Sequence, residues 1–70
     1  MEDNWKIVHE TDKEYKAVII REKLAEEEIQ SSQIDRKGSE INLFIGTIEI
    51  YVHENDVEKA KEIITKHNEL

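Results

Sequence analysis

Gly46-Thr47-Ile48-Glu49-Ile50-Tyr51-Val52 decides how this 70-residue chain is read. Ile48, Ile50 and Val52 alternate with Thr47, Glu49 and Tyr51, which puts three branched apolar side chains on one face of a strand. A few residues later the period changes. Val57, Ala60 and Ile64 recur at i, i+3 and i+7, one stripe of a helix, with Ile63 beside them. A strand that gives way to an amphipathic helix so quickly packs that helix on its own apolar face. The pattern predicts a strand over Thr47–His53 and a helix from about Asp56 to His67. Asn55 and Glu58 have the spacing of a capping box, and Asn68 suits the other end.

Working outward, Trp5-Lys6-Ile7-Val8-His9-Glu10 reads as a first strand. Strict alternation puts Trp5, Ile7 and His9 on one face and Lys6, Val8 and Glu10 on the other. Thr11-Asp12-Lys13-Glu14 again spells a capping box, opening a helix that runs to about Glu27. Its core stripe is Ala17, Ile20 and Leu24. Tyr15 and Ile19 lie one turn apart on the far side and form a candidate contact patch for another chain. Glu26-Glu27-Glu28 reads as a solvated helix end. Ile29 to Asp35 reads as a second strand, and Arg36-Lys37-Gly38-Ser39 as a turn, with a positive φ expected at Gly38. From Ile41 to Ile45 the apolar positions are odd-numbered, and after Gly46 they are even. A bulge or bend at Gly46 accounts for that slip.

The element order is β-α-β-β-α. Three antiparallel strands with two helices on one face make an α+β, ferredoxin-like (split βαβ) sheet lacking its last strand. The strand Thr47–His53 is expected in the middle, which leaves the first strand an unpaired edge. The whole chain makes a single domain.

Composition limits the function. Charged residues make up 39% and hydrophobic residues 37%, with a net charge of −7. Phosphate-backbone binding needs a basic footprint, so nucleic acid is not an expected partner. The longest apolar run, Ala17-Val18-Ile19-Ile20, is too short for a bilayer, and Met-Glu-Asp-Asn is no secretory leader, so a cytoplasmic location is expected. Cysteine is absent, which removes disulfides and thiolate metal sites. A small core without staples gains from association, so a homodimer is the expected state.

No motif commits to catalysis. His9, His53 and His67 lack the spacing of a zinc enzyme, the glycines are isolated, and the serines sit in no nucleophile elbow. No cofactor or metal is expected. An enzymatic alternative needs His9, His53 and Glu54 to converge in one pocket. The leading expectation is instead a non-enzymatic module. It would bind a small ligand or a protein through a sheet face carrying Lys6, Val8, Gln33, Glu49 and Tyr51, with Tyr51 as anchor. An accessory subunit docking through Tyr15 and Ile19 is the remaining class.

Trp5, Thr11-Asp12, the Ala17/Ile20/Leu24 helix, Ile29, and the Gly46–Val52 stretch followed by Val57-Glu58-Lys59-Ala60-Lys61-Glu62-Ile63-Ile64 resemble a family of small bacterial domains. The family is of unknown function and is labelled "putative prokaryotic signal-transducing protein". The resemblance runs from Trp5 to about Ile64. It implies a fold similar to PII-like and ACT-like regulators and a regulatory or binding role, with no catalytic residues to carry over. The chain departs from the family's habit at His53, where a proline is frequent, and at Lys37-Gly38-Ser39-Glu40.

Overall fold

The computed structural model describes residues 4–36 and 46–67. They form β1 (Trp5–Thr11), α1 (Glu14–Glu26), β2 (Ser31–Arg36), β3 (Thr47–His53), a short 3-10 turn (Glu54–Asp56) and α2 (Val57–Lys66). The strands make one antiparallel sheet in the order β1-β3-β2. This is the α+β ferredoxin-like arrangement, with β3 in the middle and with β1 and β2 each lacking a second described neighbour. The Cα envelope is only 14 Å thin, which fits one helix layer on one sheet.

Alternation in β3 builds the core. Ile50 and Val52 are fully buried under the helices, with Ile48 packed beside them. α1 contributes Ala17, Ile20 and Leu24, and α2 contributes Ala60, Ile63 and Ile64, with Val57 at its margin. Each fully buried Leu, Ile or Val contributes about 1.5–3 kcal/mol relative to exposure.

Both helix starts differ from the capping-box expectation. The Thr11 hydroxyl accepts from the Lys13 amide at 3.1 Å, two residues on, and α1 begins at Glu14 with no side-chain cap. Before α2, the His53 ring takes the capping role: Nδ1 accepts from the Asn55 amide at 3.2 Å and fixes the 3-10 turn. Asp56, the residue before α2, makes no side-chain cap.

The end of α1 explains Ile29. The Glu28 amide donates to the Ala25 carbonyl and the Ile29 amide to the Leu24 carbonyl, both at 2.9 Å. This is a Schellman motif, and it puts Glu28 at φ 63°, where glycine is usual. Leu24 and Ile29 make its apolar contact inside the core. Ile29 therefore closes the helix instead of opening β2, which starts at Ser31.

The phase slip inside the described sheet is in β1. Ile7 pairs with Tyr51 and His9 with Ile50, so Val8 is the extra residue of a bulge. Gly46 has no positive φ, and a Cβ there would meet only the Arg36 carbonyl at 3.5 Å. The expected turn beyond Arg36, the Ile41–Ile45 segment and the Asn68 cap lie outside the described residues.

Candidate functional site

Residues directly opposed in an antiparallel pair share a face, so the register assigns each side chain to the covered or the open side of the sheet. β3 puts Thr47, Glu49, Tyr51 and His53 on the open side. Trp5 lies opposite His53, Ile7 opposite Tyr51 and Glu10 opposite Glu49. From β2, Ser32 lies opposite Tyr51, Ile34 opposite Glu49 and Arg36 opposite Thr47. Of the five residues expected on this face, Glu49 and Tyr51 are there. Lys6 is opposite Val52, Val8 packs against the core, and Gln33 is opposite Ile50. These three belong to the helix-covered side.

The causes are local. Plain alternation keeps Val8 on the side of Lys6, and the bulge carries His9 to that side as well. On β2, the guanidinium of Arg21 reaches down from α1. Its Nε donates to the Ser31 hydroxyl at 3.0 Å, and its terminal nitrogens donate to the Ser31 carbonyl and the Gln33 side chain at 3.2 and 3.4 Å. A polar clamp under the helix draws Ser31 and Gln33 inward and sends Ile34 out. Trp5, Ile7 and Ile34 were thus missed as members of the open face.

That face has two ends. At one end Trp5 meets the His53 ring edge-on, with centroids 6.2 Å apart, and Ile7, 39% exposed, lies beside Tyr51. At the other end the Tyr51 hydroxyl donates to Glu49 Oε1 at 2.9 Å, and Arg36 Nε donates to the same oxygen at 2.8 Å. The Glu49 side chain is 13% exposed and that of Arg36 59%. The Arg36 bond, then the Tyr51 bond, hold the Glu49 carboxyl below its usual range. Arg36 is raised in return, first by its bond to Glu49.

Asn4 ties the aromatic end down. Its carbonyl accepts from the Glu54 amide at 2.7 Å, and its side-chain amide lies 2.8 Å from His53 Nε2. Because Nδ1 accepts from Asn55, a neutral ring carries its proton on Nε2. Asn4 Oδ1, the buried side-chain polar atom without a partner among the described residues, satisfies that proton when the amide presents its oxygen.

A cleft of about 390 Å³ opens on the covered side, between the end of β1, the first turns of α1 and the last of α2. Ile20 and Ile64 lie among its lining residues, with His9, Lys16 and His67. Burial, and secondly the Lys16 charge, push the His9 imidazole below its ordinary range, against a smaller opposing effect of Glu10. Such a cleft can hold a small polar molecule against apolar side chains. His9, His53 and Glu54 do not converge. His9 shares its side of the sheet with Ile50, while His53 pairs with Trp5 at the other end and on the other face. Among the described residues, no group of three His, Cys, Asp or Glu side chains is placed to hold a metal ion.

On α1, Tyr15 is 58% exposed and Ile19 half-buried, and Val18, 49% exposed, joins them as a second apolar side of the helix. No helix among the described residues is long and apolar enough to cross a membrane.

No curated protein and no solved structure matches the chain. One family model does, over residues 5–68, and its description is "putative prokaryotic signal transducing protein". That span takes in every described strand and both described helices, so the chain belongs to this signal-transducing family.

Proposed function

We propose that the protein is a non-enzymatic binding module of signal transduction, cytoplasmic and homodimeric, that works through its open sheet face. One observation carries this reading: Trp5, Ile7, Ile34 and Tyr51 occupy the sheet face opposite both helices. Monomers rarely leave such an apolar group open without a use for it. The small core and the missing cysteines point the same way, because a second chain adds the burial that one copy lacks. Sedimentation at micromolar concentration tests it. The expected result is a dimer that Tyr51→Glu converts to a monomer with its circular dichroism intact. A wild-type monomer, or a Tyr51→Glu dimer of wild-type strength, removes the reading.

The second apolar side of α1 favours a further reading, in which Tyr15, Val18 and Ile19 dock the module on a larger signalling protein. Replacing Tyr15 and Ile19 with Glu would abolish co-purification with that partner and leave the sheet-face dimer unchanged. Co-purification that survives the double substitution ends this second reading.

A further inference from the structure

The charges on the open face say how a second copy would sit. β1 and β2 both run antiparallel to β3, so Glu10 and Arg36 lie near the same end of the sheet, on opposite edges. Glu10 faces Glu49 directly, and like charges so opposed are destabilising. Arg36 approaches Glu49 from the other side and is bonded to it. Two strand spacings, about 10 Å, separate the β1 and β2 backbones, so one sheet keeps Glu10 and Arg36 apart. The aromatic and apolar end, with Trp5, Ile7 and Tyr51, is the opposite end of the same face.

Among the two-fold axes that stack this face on itself, two keep the strands of the copies aligned. An axis across the strands reverses their direction and lays the Glu10/Arg36 end of one copy on the Trp5/Tyr51 end of the other, charge against aromatic. An axis along β3 keeps each position along the strands and exchanges the edges. β1 of each copy then lies over β2 of the other, Ile7 over the Ser32–Ile34 strip, and Tyr51 near its own counterpart. Glu10, level with Glu49, comes over the Ile34 position of the other copy and level with its Arg36 guanidinium, which the bond to Glu49 draws back along the strand, twice by symmetry. Strands in this stacking run in nearly the same direction, the aligned class of sheet packing.

We propose that the protein pairs with a second copy face to face, about a two-fold axis along β3, with Glu10 of each copy set against Arg36 of the other. This rests on the homodimer reading above and adds its geometry. Each opposed Glu10 then gains a cation that its own sheet cannot supply.

Charge reversal tests the contact. Glu10→Arg makes both cross-contacts pairs of arginines, and Arg36→Glu makes both pairs of glutamates. Each variant alone should dimerise at least tenfold more weakly than the wild type by sedimentation. An equimolar mixture should recover the wild-type constant. In the mixed dimer one cross-contact keeps its native pair, and the other joins the introduced arginine to the introduced glutamate. Undiminished dimerisation of Glu10→Arg, or a mixture no tighter than its parts, overturns the geometry while the homodimer stands. A wild-type monomer overturns both. Should Arg36→Glu fail to fold beside Glu49, filtered NOE spectra of mixed labelled and unlabelled wild-type protein decide the matter without substitution. Contacts between Ile7 of one copy and the Ser32–Ile34 strip of the other are expected, and contacts joining Ile7 to Ile7 across the copies overturn the proposal.

Discussion

The two faces of β3 are made by alternate residues of one strand, yet they obey different rules. Ile48, Ile50 and Val52 lie in or against a core of aliphatic residues drawn from both helices. Thr47, Glu49, Tyr51 and His53, one residue out of step, carry an ion pair, a phenol and an imidazole. The covered face is held by burial, which is non-directional and tolerant of which aliphatic side chain supplies it. The open face is held by named hydrogen bonds with fixed partners. One strand thus carries two kinds of interaction, and each can be changed without the other.

The sharpest way to break this contrast is at neighbouring positions. Ile50→Ala should cost about 2–5 kcal/mol in chemical denaturation, because a fully buried site is left with a cavity. Tyr51→Ala, next in sequence, should cost about 1 kcal/mol and act instead on self-association. Equal losses of stability at the two positions would mean that the open face is part of the core.

Glu28 offers a way to strengthen the covered side alone. It occupies the left-handed position after α1 at φ 63°, where a side chain is strained. Glu28→Gly should raise unfolding free energy by about 1 kcal/mol, since it relieves that strain and removes a carboxylate from the negative end of the helix dipole. The dimer constant should not move. A thermal melt at or below the wild-type value would refute this account of the turn.

The smallest effect concerns His9, a polar residue that the bulge places on the covered side. Its folded pKa lies below the ordinary 6.5, so the unfolded chain binds a proton that the folded chain does not. His9's contribution to stability is complete above about 6.5 and is lost progressively as the pH falls toward the depressed folded value. His9→Gln should flatten that part of the stability–pH curve. A slope unchanged by the substitution would assign it to other groups.

Much of the covered face was legible in the sequence, because burial writes itself as period. The alternation of Ile48, Ile50 and Val52, the α1 stripe Ala17, Ile20 and Leu24, and the α2 stripe each matched one side of one element. Much of the open face was not. Alternation kept Lys6 with Val8, but Trp5 and Ile7 are the more apolar pair and it is they that face outward, while a bulge with no glycine to mark it carries His9 across. Gln33 was misplaced because its side of β2 is set by Arg21, ten to twelve residues away on another element. The Thr11-to-Glu14 spacing allowed a capping box, and the competing bond from Lys13 to Thr11 took its place. Patterns within one element can be read in advance, whereas contacts between elements can only be read from their packing.

The strand order has one last consequence, for the chain during its synthesis. β1 and β2 pair with β3 and not with each other. A nascent chain that has left the ribosome only as far as Arg36 has two strands and nothing to join them, so the sheet waits for the Thr47–His53 segment to emerge. The β1–β3 ladder then forms across 37 to 48 residues, from Thr11 with Ile48 to Trp5 with His53, the non-local kind of pairing that slows folding. Until that moment Trp5, Ile7 and the α1 stripe have no sheet to rest on, and chaperones have their best opportunity to hold them.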